Sequence, residues 1–336
     1  MFTLIKDVEV FSPEKLGKKD VLICGKQIVA IDDYLSTPLE LEANIIDGKG
    51  KYLFPGLVDS LVHISGGGGE AGFASRTPEM NIADATLAGI TTVVGALGTD
   101  NVSRTHTDLV AKAKGLKQEG LNVFCHTGSY HTPVQTLTQN INNDIMFIEE
   151  FIGVGEVAIA DHRGSQLSVE ELARIAAQSR TAGILSNKKG TVSIHVGSGE
   201  SKLDLLFKVA EQTDIPLTQF YPTHVNRNES LLSEGIRFCN AGGTIDFTTS
   251  TTEYDLANGE IAAAKAVALC IEKGVNPKHL TMSSDGHASL PIYDKKNELI
   301  GFEIGDEYSL YQALVETISE HGVDISTALQ TVTSNP

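Results

Sequence analysis

The chain has 336 residues, of which 41% are hydrophobic and 21% charged, the profile of a soluble globular protein with ample material for a core. Its formal net charge of -17 repels nucleic acid and anionic membranes and excludes both as expected partners. A chain of this length fits two domains or one barrel.

The N-terminus, MFTLIKDVEVFSPEK, has acids among its first ten residues and no long apolar core, so it does not read as a signal peptide. Over residues 1–53, FTLIKDVEVF, DVLICGKQIVAID and ANIIDGKGKYLF are short, rich in Val and Ile, and separated by the turn residues SPEK and DGKG. They predict the N-terminal part of a small β-domain. From Phe54 onward apolar strands alternate with helical stretches such as VEELARIAAQSRTAG and LDLLFKVAEQT, the pattern of βα units around a parallel sheet. Eight strands are expected: GLVDSLVHI, TTVVGAL, NVFCHTG, VGEVAIAD, TVSIHVG, LTQFYPTHV, GTIDFTT and LTMSSD. The fold class is therefore α/β, with a (β/α)8 TIM-like barrel over residues 54–336 and a small N-terminal β-sandwich portion. AGITTVVGALG is too short to span a bilayer. Cys24, Cys125, Cys239 and Cys270 form no CxxC pair and read as buried thiols of a reducing compartment, which points to the cytoplasm.

His63, Glu156, His195, His224 and Asp285 each fall at or near the end of an expected strand, and in this barrel the C-terminal strand ends form the active-site face. His195, His224 and Glu156 make a three-ligand set for Zn²⁺ with a fourth position open to water. His63 and Asp285 offer donors for a second ion, with Glu156 bridging the two. Asp285 can also move a proton from water to a leaving nitrogen. The competing reading of His195 and His224 is a pair of buried imidazoles bonded to backbone.

SGGGGEAG lacks the Lys-Ser/Thr of a phosphate-binding loop. Its four glycines either let the backbone approach a ligand or make a flexible βα loop, and Glu70 after them can meet a cationic amine. Arg163 and Arg227 follow strand ends, and their forks suit carboxylates. Together with Glu70 they point to a substrate with two carboxylates and one amine. Tyr130 either donates to a developing oxyanion or packs its loop. No distinct role falls to His126, His131 or His162.

GGGGEAG, VVGALGTD, TGSYH, IADHRGS, YPTHVNRN, GGTIDFTTS and MSSDGHAS together resemble the isoaspartyl dipeptidase family of the amidohydrolase superfamily. The resemblance runs from the N-terminal strands to the last residue. It implies hydrolysis of the isopeptide bond of β-aspartyl dipeptides by a zinc-activated hydroxide at a centre of two Zn²⁺ per chain. It assigns His195 and His224 to the more buried ion, His63 and Asp285 to the other, and Glu156 to the bridging position that a carboxylated lysine fills in many relatives. Asp285 is then general base and acid, and Tyr130 stabilises the tetrahedral intermediate. Glu70 and Ser289 hold the amine, Arg163 and Arg227 the carboxylates, and Thr99 a further substrate contact. The resemblance also implies a homo-oligomer.

Two departures stand out. The family pattern has His-x-His in the first barrel strand, where this chain has Leu61-Val62-His63. Leucine offers no ligand atom, so one ion is expected to bind well and the other weakly or not at all. The chain also stops at TVTSNP, where the family continues into strands that return to the small β-domain. That implies a fragment whose N-terminal sheet exposes edges and apolar faces. Two other functions compete with a weakened dipeptidase: an inactive homologue that binds metal or dipeptide, favoured by Leu61, and a cyclic-amide hydrolase, disfavoured by the two arginines and GGGGEAG.

Overall fold

Strand β1 (Phe2–Phe11) runs through the middle of the N-terminal sheet in a computed structural model that describes residues 2–36, 42–294 and 298–336. The stretch DVLICGKQIVAID is a hairpin. It divides at Gly25, whose φ of 59° suits a residue without a side chain, into β2 (Lys15–Cys24) and β3 (Gln27–Asp32). ANIIDGKGKYLF likewise gives two strands, β4 (Ala43–Asp47) and β5 (Tyr52–Leu53), both parallel to β1. Val8, Val10 and Val21 form a separate small core with Ile5, Ile23 and Leu53 against it. On the outer strands Ile28, Val29 and Ile45 are more than half exposed.

The eight expected barrel strands all form: β6 (Leu57–Val62), β7 (Ile90–Gly95), β8 (Asn122–Thr127), β9 (Phe151–Ile159), β10 (Thr191–Val196), β11 (Phe220–Thr223), β12 (Ile245–Thr248) and β13 (Leu280–Ser283). The run β6 to β11 is one parallel sheet, and β12 pairs in parallel with β13. Two seams complete the ring. Between β13 and β6, Asp285 N donates to Leu61 O (3.1 Å) and His63 N to Gly286 O (2.9 Å). Between β11 and β12, the Asn226 side chain accepts from Thr248 N (3.0 Å) and donates to Thr248 O (3.1 Å), a side-chain substitute for a ladder.

Strand alternation sorts the barrel's contents. Val62, Val123, Val157 and Ile194 point outward into the main apolar core. Each such buried side chain contributes roughly 1.5–3 kcal/mol. The alternate positions carry the buried polar groups Asp59, His126, Glu156, His195, Thr223 and Asp246. Leu61 shares a face with Asp59 and His63, so its side chain enters the barrel just beneath His63, where it is 1% exposed.

The covering helices begin where caps dictate. Val169–Ser186 starts at Ser168, whose hydroxyl accepts from Glu171 N while the Glu171 carboxylate returns to Ser168 N. It extends three residues beyond VEELARIAAQSRTAG and ends at Asn187, with φ of 55°. A second hairpin, β14 (Ser289–Tyr293) and β15 (Leu299–Ile304), follows β13 and was not expected. Pro291 lies within it and breaks the sequence pattern of a strand, yet a two-stranded ribbon leaves room for the missing donor. All four cysteines are free thiols, but Cys24 is only half-buried, contrary to its expected burial, because it ends a strand of the thinly covered N-terminal sheet. No helix among the described residues is long and apolar enough to cross a membrane.

Candidate active site

The five strand-end residues converge at one mouth of the barrel. His63 is one residue past β6, His195 the penultimate residue of β10, His224 directly after β11, and Asp285 two residues past β13. Glu156 departs from the expected placement. It lies inside β9, three residues before the strand's end. A bulge lifts it toward the mouth: Val154 opposes Val192 and Val157 opposes Ile194, so Gly155 and Glu156 together face Ser193. Gly155 is required there, since a Cβ would sit 2.6 Å from that of Ser193. His224 and Asp285 hold left-handed backbones, with φ of 63° and 54°. Such conformations cost a non-glycine residue of order 1–3 kcal/mol and persist where the surroundings over-determine them.

Glu156, His195 and His224 form a buried cluster with one ligand-type atom of each within 4.8 Å of the others. Glu156 Oε1 lies 3.1 Å from His195 Nδ1 and 2.9 Å from His224 Nε2, while its Oε2 is buried without a partner. Burial pushes the Glu156 carboxyl up, but hydrogen bonds from the His195 and His224 imidazoles outweigh it and hold the group well below the usual carboxylate range. Burial, joined by the Arg227 charge, lowers His224 to about 4, which keeps its ring neutral and able to ligate.

Two residues that sequence reasoning passed over orient these rings. Asp161 Oδ2 contacts His195 Nε2 at 2.9 Å, and the Thr248 hydroxyl bonds His224 Nδ1. Asp161 stands in the quoted IADHRGS, two residues before Arg163, and that adjacency is the signal that could have found it. Thr248 stands in the quoted GGTIDFTTS, but nothing there singles it out from Thr244, Thr249 and Ser250. His63 is held differently: Nδ1 lies 3.2 Å from Ala96 O and Nε2 3.2 Å from Asp285 Oδ1.

The expected substrate residues line the same cavity of about 230 Å³, among them Glu70, Thr99, Tyr130, Arg163, Arg227 and Ser289. Thr99 donates to Glu70 at 2.6 Å, and Arg163 Nη1 lies 3.5 Å from the same carboxylate oxygen. Arg163 is gripped from behind by Asp161 through Nε (3.0 Å) and Nη2 (2.7 Å), leaving Nη1 toward the cavity. Arg227 is fixed by a bond from Nε to Val196 O (2.9 Å), and the Ser289 hydroxyl is buried without a partner. Burial raises Tyr130 well above its ordinary value, so its phenol stays protonated, with OH 2.7 Å from His195 Nδ1. His126 is buried and lowered to about 4 by that burial, His131 bonds Thr99 O (3.0 Å), and His162 is exposed.

Known structures define the class first. A D-hydantoinase matches 100% of this chain and 81% of its own at 18% identity and TM-score 0.65, and an enamidase described as a member of the amidohydrolase superfamily matches the same shares at 17% and 0.63. At that distance they establish the fold alone, a (β/α)8 barrel. Beta-aspartyl dipeptidase from Fervidobacterium islandicum AW-1, solved in complex with a beta-Asp-Leu dipeptide, is 42% identical over 100% of this chain and 86% of its own, with TM-score 0.91. A second structure of the enzyme from that organism gives 40% identity, the same coverage and TM-score 0.90. The chain belongs to the beta-aspartyl dipeptidase family. No family model matches it.

Proposed function

We infer that this protein is a metal-dependent hydrolase of β-aspartyl dipeptides. The observation that carries the reading is one cavity in which His195 and His224 of the His-His-Glu cluster share the lining with Glu70, Arg163 and Arg227. A β-aspartyl dipeptide presents the complementary set, one α-amine and two carboxylates. Glu70 meets the amine beside Ser289 and Thr99, and Arg163 and Arg227 meet the carboxylates by paired hydrogen bonds. The cyclic-amide hydrolases share the fold at under 20% identity, which carries no substrate to this chain.

The residues fit a divalent ion. Two imidazoles and a carboxylate are the donor set Zn²⁺ favours, and the unpartnered, buried Glu156 Oε2 is the kind of atom a cation satisfies. Glu156, His195 and His224 would hold it, and a bound ion would supply the positive charge that acidifies water and polarises a carbonyl. A second ion has only His63, Asp285 and a share of Glu156, because Leu61 brings no ligand atom. We expect one ion held well and the other weakly or not at all.

Asp285 takes a proton as water adds to the side-chain carbonyl of the β-aspartyl group. It returns that proton to the nitrogen as the C–N bond breaks. Tyr130 donates its O–H to the oxygen on which charge develops. His63 fixes Asp285 from the side.

The test compares hydrolysis of β-Asp-Leu and α-Asp-Leu, with zinc counted on the same preparation before and after chelation. Cleavage confined to the β-linked peptide, lost with the metal and restored by zinc, is expected. Equal cleavage of both peptides, or activity indifferent to chelation, would overturn the reading.

A further inference from the structure

Arg104 lies in the loop after β7, two residues before the helix His106–Glu119, and is 8% exposed. It lines the cavity. Its guanidinium donates to the main-chain carbonyls of Ser65, of Thr77 (2.7 Å) and, through a longer bond, of Gly67 (3.3 Å). Its Nε is buried without a partner, and among the described residues no carboxylate lies within ion-pair distance of it. A buried cation is ordinarily matched by a carboxylate. Here carbonyl oxygens of the glycine loop and of Thr77 take that place.

The packing around this fork is close. Gly66 has φ of 83°, and a Cβ on it would sit 2.6 Å from Arg104 Nη1 and 2.6 Å from Thr77 O. Thr77 also grips the loop: its hydroxyl accepts from Gly67 N (2.7 Å) and donates to His287 O (2.5 Å), and its N–H donates to Gly67 O (3.1 Å). Residues 65–67 are thus held by a guanidinium and a threonine together. Three residues further on, Glu70 reaches Thr99 and Arg163.

We propose that Arg104 is a positioning residue for substrate binding: by gathering the carbonyls of Ser65, Gly67 and Thr77, it fixes the loop that presents Glu70 to the cavity. The functional half of this inference rests on the reading of Glu70 as the contact for the substrate's amine. A guanidinium is suited to the task because its rigid fork reaches carbonyls in different directions, which one ammonium on a flexible stem does not.

The test uses the full chain with Arg104→Lys, Arg104→Met, Glu70→Gln and the double variant Glu70→Gln/Arg104→Lys. Amide hydrogen exchange without substrate reads the loop, and KM and kcat for β-Asp-Leu read its consequence. In Arg104→Lys, protection at residues 66–70 falls by about tenfold or more while the barrel strands keep theirs. KM rises about tenfold with a much smaller change in kcat, and Arg104→Met is worse. The double variant is no worse than Glu70→Gln alone, because Arg104 acts through Glu70. Unchanged loop protection overturns the proposal, as do lost protection with an unchanged KM and a loss of protection spread over the whole barrel. If the wild-type chain does not cleave β-Asp-Leu, the substrate reading falls, and the exchange data still decide whether Arg104 holds the loop.

Discussion

On the side of the mouth built by β9, β10 and β11, each ligand-type group has a neighbour that orients it. Asp161 and Tyr130 contact His195, Thr248 bonds His224, and both imidazoles converge on Glu156 Oε1. On the side built by β6 and β13, His63 and Asp285 face each other at 3.2 Å, with Ala96 O beyond the far ring nitrogen. The next inward residue of β6 is Leu61, buried and apolar. One side is a convergent cluster with a supporting shell. The other is a pair. Since an ion needs three or four convergent donors to bind tightly, the two sides should differ in affinity.

The largest expected effect comes from removing support on the convergent side. Asp161→Asn keeps the shape but replaces the charge against His195 and Arg163 with an amide. Loss of an outer partner of a metal-bound imidazole costs about 10–100-fold in affinity or activity. Zinc affinity by competition with a chelator should fall by that factor, with KM for β-Asp-Leu rising as Arg163 loosens. An unchanged affinity would mean that the support on this side is incidental and the comparison fails. Leu61→His tests the other side. It should raise zinc content above that of the parent and increase the rate by about tenfold or more. Two tightly held zinc ions in the unaltered chain would break the argument from this side.

The eight barrel strands were legible because short runs with buried apolar residues, such as Val62, Val123, Ile194, Phe247 and Met282, alternate with helical stretches, and the strand-end histidines followed from them. Arrangements set by register were not legible. Glu156 looks like a strand-end residue, and only the bulge opposite Ser193 brings it near the mouth from within β9. The β14–β15 hairpin was hidden by Pro291. Asp161 reads as an ordinary turn acid until Arg163 and His195 are seen on either side of it, and Thr248 is one of many threonines. Arg104 carries no sequence signal at all, because its partners are main-chain carbonyls from segments 27 to 39 residues away.

The smallest expected effect concerns pH, and it separates the two sides by sign. Behind the β6–β13 side, Glu307 packs its nearly inaccessible carboxyl against Gly286, 3.5 Å from His287 Nε2. Burial raises it from an ordinary 4.5 to about 8. On the opposite side Asp161 is shifted the other way: burial pushes it up, but hydrogen bonds from His195 and Arg163 prevail and hold it below its ordinary 3.8. Between 4.5 and about 8 the folded state holds a proton on Glu307 that the unfolded chain has released. The contribution from Glu307 is therefore full below the lower value and is lost as pH rises through the upper one. Asp161 contributes stability above its ordinary value that is lost only as pH falls through its depressed one, so it adds no slope near neutrality. Glu307→Gln removes the titrating group at nearly constant volume. Thermal unfolding followed from about pH 6 to 9 should show a flatter alkaline decline than the parent, by on the order of 1–3 kcal/mol. Asp161→Asn should leave that slope as it is. If Glu307→Gln retains the parent's slope, the alkaline sensitivity lies outside the β6–β13 side, and the two sides are then distinguished by their ligands alone.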